Sequence, residues 1–128
     1  MRLLILVLVL LCNASTALAQ ADFSPLSLVG KWTTEARHPS GATIASNVVL
    51  TQNMRFSARS TVDGKPFVQF GGTWSVAGNL LTWRYETSSA MAPAPGTTDT
   101  DEIVSAKDSR LILRSKLSGK QHQYVRMR

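Results

Sequence analysis

The pentapeptide Leu28-Val29-Gly30-Lys31-Trp32 (LVGKW) places a glycine two residues before a tryptophan, just ahead of an alternating pattern. A tryptophan at an inward position of a first β-strand can plug one end of a closed sheet. A glycine before it lets the incoming chain cross that end closely, where a Cβ atom would collide. This stretch therefore predicts the start of a small antiparallel barrel whose closed end is sealed by Trp32.

Regularly spaced turn-forming clusters predict the strands. Seven clusters divide the chain into eight segments: HPSG (38–41), QN (52–53), DG (63–64), AGN (77–79), SSAMAPAPG (88–96), KDS (107–109) and SG (118–119). Short connections join antiparallel neighbours, and closing an eight-stranded meander removes its two exposed edges. We therefore predict an all-β, eight-stranded, antiparallel up-and-down barrel, preceded by a short helical turn within DFSPLSLVG (22–30).

Alternation within the segments supports this prediction. In LLTWRYET (80–87), Trp83 and Tyr85 share one face and Arg84 lies on the other. The twin glycines Gly71 and Gly72 predict a bend or bulge within a strand, with Trp74 in the core.

The first 19 residues have the pattern of a secretory signal peptide. Arg2 precedes an unbroken apolar run, 3–11, which is too short to span a bilayer, and small residues end at Ala19. We therefore expect an exported protein, periplasmic or secreted, with a barrel domain over 20–128 and no stable membrane insertion. Lipid anchoring at Cys12 is a less favoured alternative, because that processing needs a small residue immediately before the cysteine.

The chain is basic, with 14 Lys and Arg against 8 Asp and Glu. Seven basic residues follow Ile103: Lys107, Arg110, Arg114, Lys116, Lys120, Arg126 and Arg128. They are interpreted either as solvent-facing positions that discourage unwanted strand pairing or as a stripe for an anionic surface such as lipid headgroups or polysaccharide. Export makes nucleic acid an unexpected partner.

The signal peptide, LVGKW and the meander of short strands together resemble the lipocalin-like, or calycin, group, and are similar to small bacterial exported proteins with such a domain. The resemblance runs from Leu28 to the C-terminus. It implies a structural signature of Gly30, Trp32 and Arg126, in which the arginine from the last strand lies across the tryptophan ring. Alternation makes a different prediction: Val125 and Met127 look buried, so Arg126 would point outward unless it lies beyond the rim.

The resemblance also implies binding of a small apolar or amphipathic ligand. Candidate lining residues are Phe56, Phe70, Trp83 and Tyr85, although a filled core would use the same aromatic side chains. The connection 88–96 is the longest and is interpreted either as a lid, with Met91 capping the cavity, or as a spacer without a role.

The acidic stretch TTDTDE (97–102) is the other candidate site. On a strand, Asp99 and Asp101 share one face. We expect a charge cluster in which Arg84 pairs with one of them; weak calcium or ligand binding and acid–base catalysis are the alternatives.

No established catalytic motif is present in the sequence, and neither His38 nor His122 has a partner at metal-ligand spacing. We therefore expect no enzyme activity, no cofactor and no metal. Ligand binding is the leading hypothesis. The alternative is a protein-interaction module with a filled core, such as an exported protease inhibitor that inserts its N-terminal arm, Gln20 to Pro25. An apolar void near the connection 88–96 would favour ligand binding, and a solid interior would favour surface interaction.

Overall fold

The computed structural model describes residues 22–88 and 93–128. The predicted signal peptide, Cys12 and Met91 lie outside the described residues. Within them, a short helix precedes eight strands: α1 (Pro25–Leu28), β1 (Gly30–Arg37), β2 (Thr43–Leu50), β3 (Arg55–Val62), β4 (Lys65–Ala77), β5 (Leu80–Ser88), β6 (Thr98–Lys107), β7 (Arg110–Ser115) and β8 (Gln121–Arg126).

The strands form one closed antiparallel barrel in the order β1 to β8, each paired with its neighbour along the chain. The sheet closes between β1 and β8, where Trp32 pairs with Arg126 and Thr33 with Val125. The Met127 N–H also donates a hydrogen bond to the Lys31 carbonyl, at 2.8 Å. The predicted eight-stranded up-and-down barrel is confirmed, as is the short helical turn before it.

One end of the barrel, which we call the closed end, is covered by α1 and filled with apolar side chains. Trp32 and Trp74 are each only 2% exposed, and Leu28 from α1 is completely buried. The indole N–H groups donate to backbone carbonyls, Trp32 to Leu28 at 2.9 Å and Trp74 to Arg55 at 3.0 Å. Because both indoles keep a hydrogen-bond partner, their burial leaves no polar group unsatisfied. The predicted core positions of Trp32 and Trp74 are confirmed.

Arg126 lies across the ring of Trp32, with its Cζ atom 4.2 Å from the ring centroid. Its guanidinium also donates to the carbonyls of Val29, at 2.7 Å, and Ser27, at 3.0 Å. The expectation from alternation was therefore wrong: Val125 and Met127 are 42% and 41% exposed. The register explains this, because Arg126 pairs directly with Trp32 and so shares its face of the sheet.

Gly30 provides the room for this arginine. Its φ of +144° is one that residues with side chains rarely adopt, and an added Cβ atom would collide with Nη1 of Arg126. The predicted need for a glycine here is confirmed, and the group that it accommodates is the guanidinium.

The twin glycines lie at a bulge in β4, as predicted, because the pairing with β5 shifts between Gly71 and Gly72. An added Cβ atom on Gly72 would collide with the carbonyl oxygen of Arg84 on β5. The bulge therefore depends on a backbone approach that only glycine allows.

Replacing Arg126 with Met should lower the free energy of unfolding by about 1–3 kcal/mol, because it removes a charged donor from two carbonyls and the cation from the indole face. Urea denaturation followed by far-UV circular dichroism measures this change. Arg110→Met, at an exposed position of β7, is the matched control and should change stability by less than about 0.5 kcal/mol. Equal losses in the two variants would contradict a specific role for Arg126.

Candidate functional site

A pocket lies at the open end of the barrel, opposite α1. Turns in a meander alternate between the two ends, and the β4–β5 turn belongs to the closed end because the Phe23 N–H, just before α1, donates to Gly78. The β7–β8 turn therefore lies at the open end. The pocket there, which we call the mouth pocket, has a volume of about 190 Å³ and is lined by Val48, Ala58, Phe70, Trp83, Tyr85, Asp99, Asp101, Ser115, Leu117 and Tyr124.

Aromatic rings form one wall of the mouth pocket. Phe70, Trp83 and Tyr85 line it, and Phe56 packs behind them. The Phe56 ring meets that of Trp83 edge to face, with centroids 4.9 Å apart, and Phe70 meets Tyr85 in the same way at 5.5 Å. The structure thus brings together all four predicted aromatic residues and leaves three of them facing the pocket.

The two carboxylates of the acidic stretch lie beside this aromatic wall, on the neighbouring strand β6. Asp99 pairs with Trp83, and Asp101 with Leu81, so both carboxylates face the interior. The Tyr85 hydroxyl donates to Oδ2 of Asp99 and the Trp83 indole N–H to Oδ2 of Asp101, both at 2.8 Å. Asp101 is half-buried, whereas Asp99 lies at the exposed rim.

The prediction that Arg84 forms an ion pair with one of these carboxylates was wrong. Arg84 pairs with Thr98 and is exposed on the outer face of the barrel. Strand alternation separates it from Trp83 and Tyr85, and the register of β6 places Asp99 and Asp101 on the aromatic side. The carboxylates therefore accept hydrogen bonds from neutral aromatic donors.

Burial alters the acidity of Asp101 and of two tyrosines that line the pocket. Burial raises the pKa of Asp101, and the neighbouring Asp99 adds to this, while the Trp83 hydrogen bond and His122 act against it. Burial together with the Asp99 hydrogen bond raises the pKa of Tyr85 well above its usual value. Burial and Asp101 raise the pKa of Tyr124 to about 12. Both tyrosines are therefore uncharged near neutral pH, so the acidic side chains of the pocket are the Asp99 and Asp101 carboxyl groups.

Our sequence reasoning missed the contribution of β8. Tyr124 lines the pocket, and His122 interacts electrostatically with Asp101. Tyr124 and His122 lie two and four residues before Arg126 on the same strand. An inward Arg126 therefore places both on the inner face too. The signal that could have found them is therefore the signature arginine, counted back by two and four residues.

The basic residues after Ile103 do not all face solvent. Lys107, Arg110, Lys116, Lys120 and Arg128 are exposed, whereas Arg126 turns inward. Arg114 forms an ion pair with Glu102, at 3.6 Å. A separate depression of about 250 Å³ lies on the outer face of β1 to β4, with Lys31 and Arg59 among its lining residues. The outer wall thus carries most of these basic residues, whereas the Asp99 and Asp101 carboxylates lie in the mouth pocket.

Within residues 22–88 and 93–128, no group of three or more His, Cys, Asp or Glu side chains is arranged to hold a metal ion. No helix in the described part of the chain is long and apolar enough to cross a membrane. Comparison with models of known protein families finds no match, and comparison with curated proteins finds none either. The case for a function therefore rests on the geometry of the chain itself.

Replacing Asp101 with Asn should stabilise the protein near neutral pH. Because the pKa of Asp101 is raised in the fold, its protonated form stabilises the fold, and this contribution is lost as pH rises through the raised pKa. Asn is uncharged and keeps an oxygen to accept the Trp83 hydrogen bond. Thermal melting should show a higher Tm for Asp101→Asn near pH 7, with the difference closing below the usual aspartate range of about 3.9.

Asp108→Asn, on the exposed β6–β7 turn, is the control and should leave the Tm nearly unchanged throughout this range. A lower Tm for Asp101→Asn near neutral pH would contradict the unfavourable burial of that carboxylate.

Proposed function

We propose that this protein binds a small amphipathic molecule in the mouth pocket of a lipocalin-like barrel. The observation that carries the proposal is a closed barrel filled at one end and hollow at the other, with aromatic walls and a few converging polar groups. Ligand sites in proteins typically combine mostly apolar walls with a small number of placed polar groups.

The volume of the pocket limits the ligand. At about 190 Å³, it lies below the roughly 300–1,000 Å³ typical of sites for drug-sized molecules. The proposed ligand is therefore one with a single aromatic ring or a short aliphatic body. Its polar group would lie beside Asp99, Asp101 and Tyr85, since these residues provide the polar side of the pocket.

The closed end supports a lipocalin-like relationship. Closure between β1 and β8, with Arg126 over Trp32 and room made by Gly30, is the arrangement implied by the resemblance. Export by way of residues 1–19, as in bacterial proteins of this type, belongs to the same proposal.

The position of the N-terminal arm favours ligand binding over the inhibitor-like alternative. The described part of the arm begins at Asp22, and the Phe23 N–H donates to Gly78 at 3.1 Å, while the Phe23 side chain packs against the core. An arm held against the closed end in this way is poorly placed to insert into the cleft of a protease. We propose binding rather than catalysis, because each carboxylate of the pocket is held by an aromatic donor.

The three indole N–H groups provide a direct test by ¹H–¹⁵N NMR. Only the Trp83 indole lines the mouth pocket, whereas Trp32 and Trp74 lie at the closed end. Titration with neutral 2-phenylethanol should shift the Trp83 signal saturably, with a Kd of about 1 mM, as expected for so small a ligand. The Trp32 and Trp74 signals should stay in place. A Trp83→Phe variant assigns the signal.

Ala58→Leu should abolish the saturable shift, because Ala58 lines the pocket and a larger side chain fills it. Ser57→Leu, one residue away on the outer face, should leave the shift intact. Unchanged Trp32 and Trp74 signals verify that both variants are folded. No shift of the Trp83 signal in the natural protein, or a shift that survives Ala58→Leu, would contradict the proposal.

A further inference from the structure

We infer that the ligand of the mouth pocket is a small organic ammonium ion, recognised by the Asp99 and Asp101 carboxylates against the aromatic wall. This inference rests on the proposed function of the pocket and specifies the charge of its ligand.

The charge of the pocket is the first argument. Both carboxylates face the barrel interior, and each accepts a hydrogen bond from a neutral donor, Tyr85 or Trp83. Within the described residues, the ion pairs are Arg55 with Glu86 and Arg114 with Glu102, and neither includes Asp99 or Asp101. The chain has a net charge of +6, yet in its described part no Lys or Arg forms an ion pair with these two carboxylates.

The side chains that face the two carboxylates from neighbouring strands bring little positive charge to offset them. β5 contributes Tyr85 and Trp83, β7 contributes Ser115, and β8 contributes Tyr124 and His122. Among these, His122 is the one basic side chain. The connection 88–96, SSAMAPAPG, contains no charged residue in its sequence. A cation that balances the two carboxylates would therefore have to come mainly from the ligand.

The second argument is the energetic cost of this arrangement. Moving a carboxylate away from water without a counter-charge is unfavourable, as the raised pKa of Asp101 reflects. An ammonium group offsets that cost by ion pairing and by donating hydrogen bonds. The faces of Trp83, Tyr85 and Phe70 attract a cation through their quadrupoles and also cover the apolar body of the ligand. A carboxylate ligand would meet repulsion at the same place.

Three probes with a similar aromatic body and different charge test the inference: 2-phenylethylammonium, neutral 2-phenylethanol and 3-phenylpropionate. Binding of each is followed by the Trp83 indole signal near neutral pH and at low salt. We expect the ammonium ion to bind at least about ten-fold more tightly than the alcohol, and the carboxylate at least about ten-fold more weakly. The preference for the ammonium ion should decline with added salt and as the pH falls through the raised pKa of Asp101.

Replacing both aspartates, Asp99→Asn with Asp101→Asn, should remove the ammonium preference and leave binding of the alcohol within about three-fold of its original strength. Glu102→Gln, on the outer face of the same strand, is the matched control and should keep the preference. If the alcohol binds but the ammonium ion binds no more tightly, the charge inference is overturned while the pocket stands. If none of the three probes moves the Trp83 signal, both proposals fall. An ammonium preference that persists in the double variant also overturns the inference.

Discussion

Closure of the sheet between β1 and β8 is the constraint on which the rest of the structure depends. The seam is short, with two aligned residue pairs and the Met127–Lys31 hydrogen bond, and side chains supplement this backbone pairing. Arg126 does so by lying on the indole of Trp32 while its guanidinium binds two carbonyls at the C-terminal end of α1. The same residue thereby joins the last strand, the first strand and the helix that covers the closed end. A partly buried cation is tolerated there because two carbonyls and an aromatic face replace contacts with water that it gives up.

Closing the barrel also divides its interior into two halves with different chemistry. The closed end is filled with apolar side chains that include Trp32, Trp74 and Leu28, and their burial stabilises the fold. The mouth is lined by aromatic rings, two carboxylates and two tyrosines, and one of those carboxylates is buried at a cost. A stable core at one end allows unfavourable groups at the other, an arrangement common at functional sites, where stability is exchanged for function. The mouth is therefore the part of this barrel whose composition the proposed ligand would explain.

Much of the fold could be predicted from local patterns. The seven turn clusters located all eight strands, because glycine, proline and short polar residues mark reversals wherever strands are this short. The aromatic wall was also predictable, since Trp83 and Tyr85 alternate with Arg84. The position of Arg126 was harder to predict. Its flanking residues, Val125 and Met127, are apolar yet exposed, so hydrophobicity alone assigned the faces of β8 the wrong way round. The glycine and tryptophan of LVGKW, through the family resemblance, provided the better guide.

The sequence by itself determined that this chain forms a closed antiparallel barrel with Trp32 at its sealed end, because turn spacing and strand alternation are local properties. Only the tertiary structure decided what Asp99 and Asp101 face. By strand alternation, both residues lie on the same face as the buried Ile103. Val104, next to Ile103, is equally apolar, so hydrophobicity does not tell which face is buried. A bulge leaves Val104 outside, and the sequence does not reveal that bulge. The faces of β6 are therefore set by its register with β5, a contact between strands. That register turned the two carboxylates away from Arg84 and towards the rings of Trp83 and Tyr85, and so created the mouth pocket.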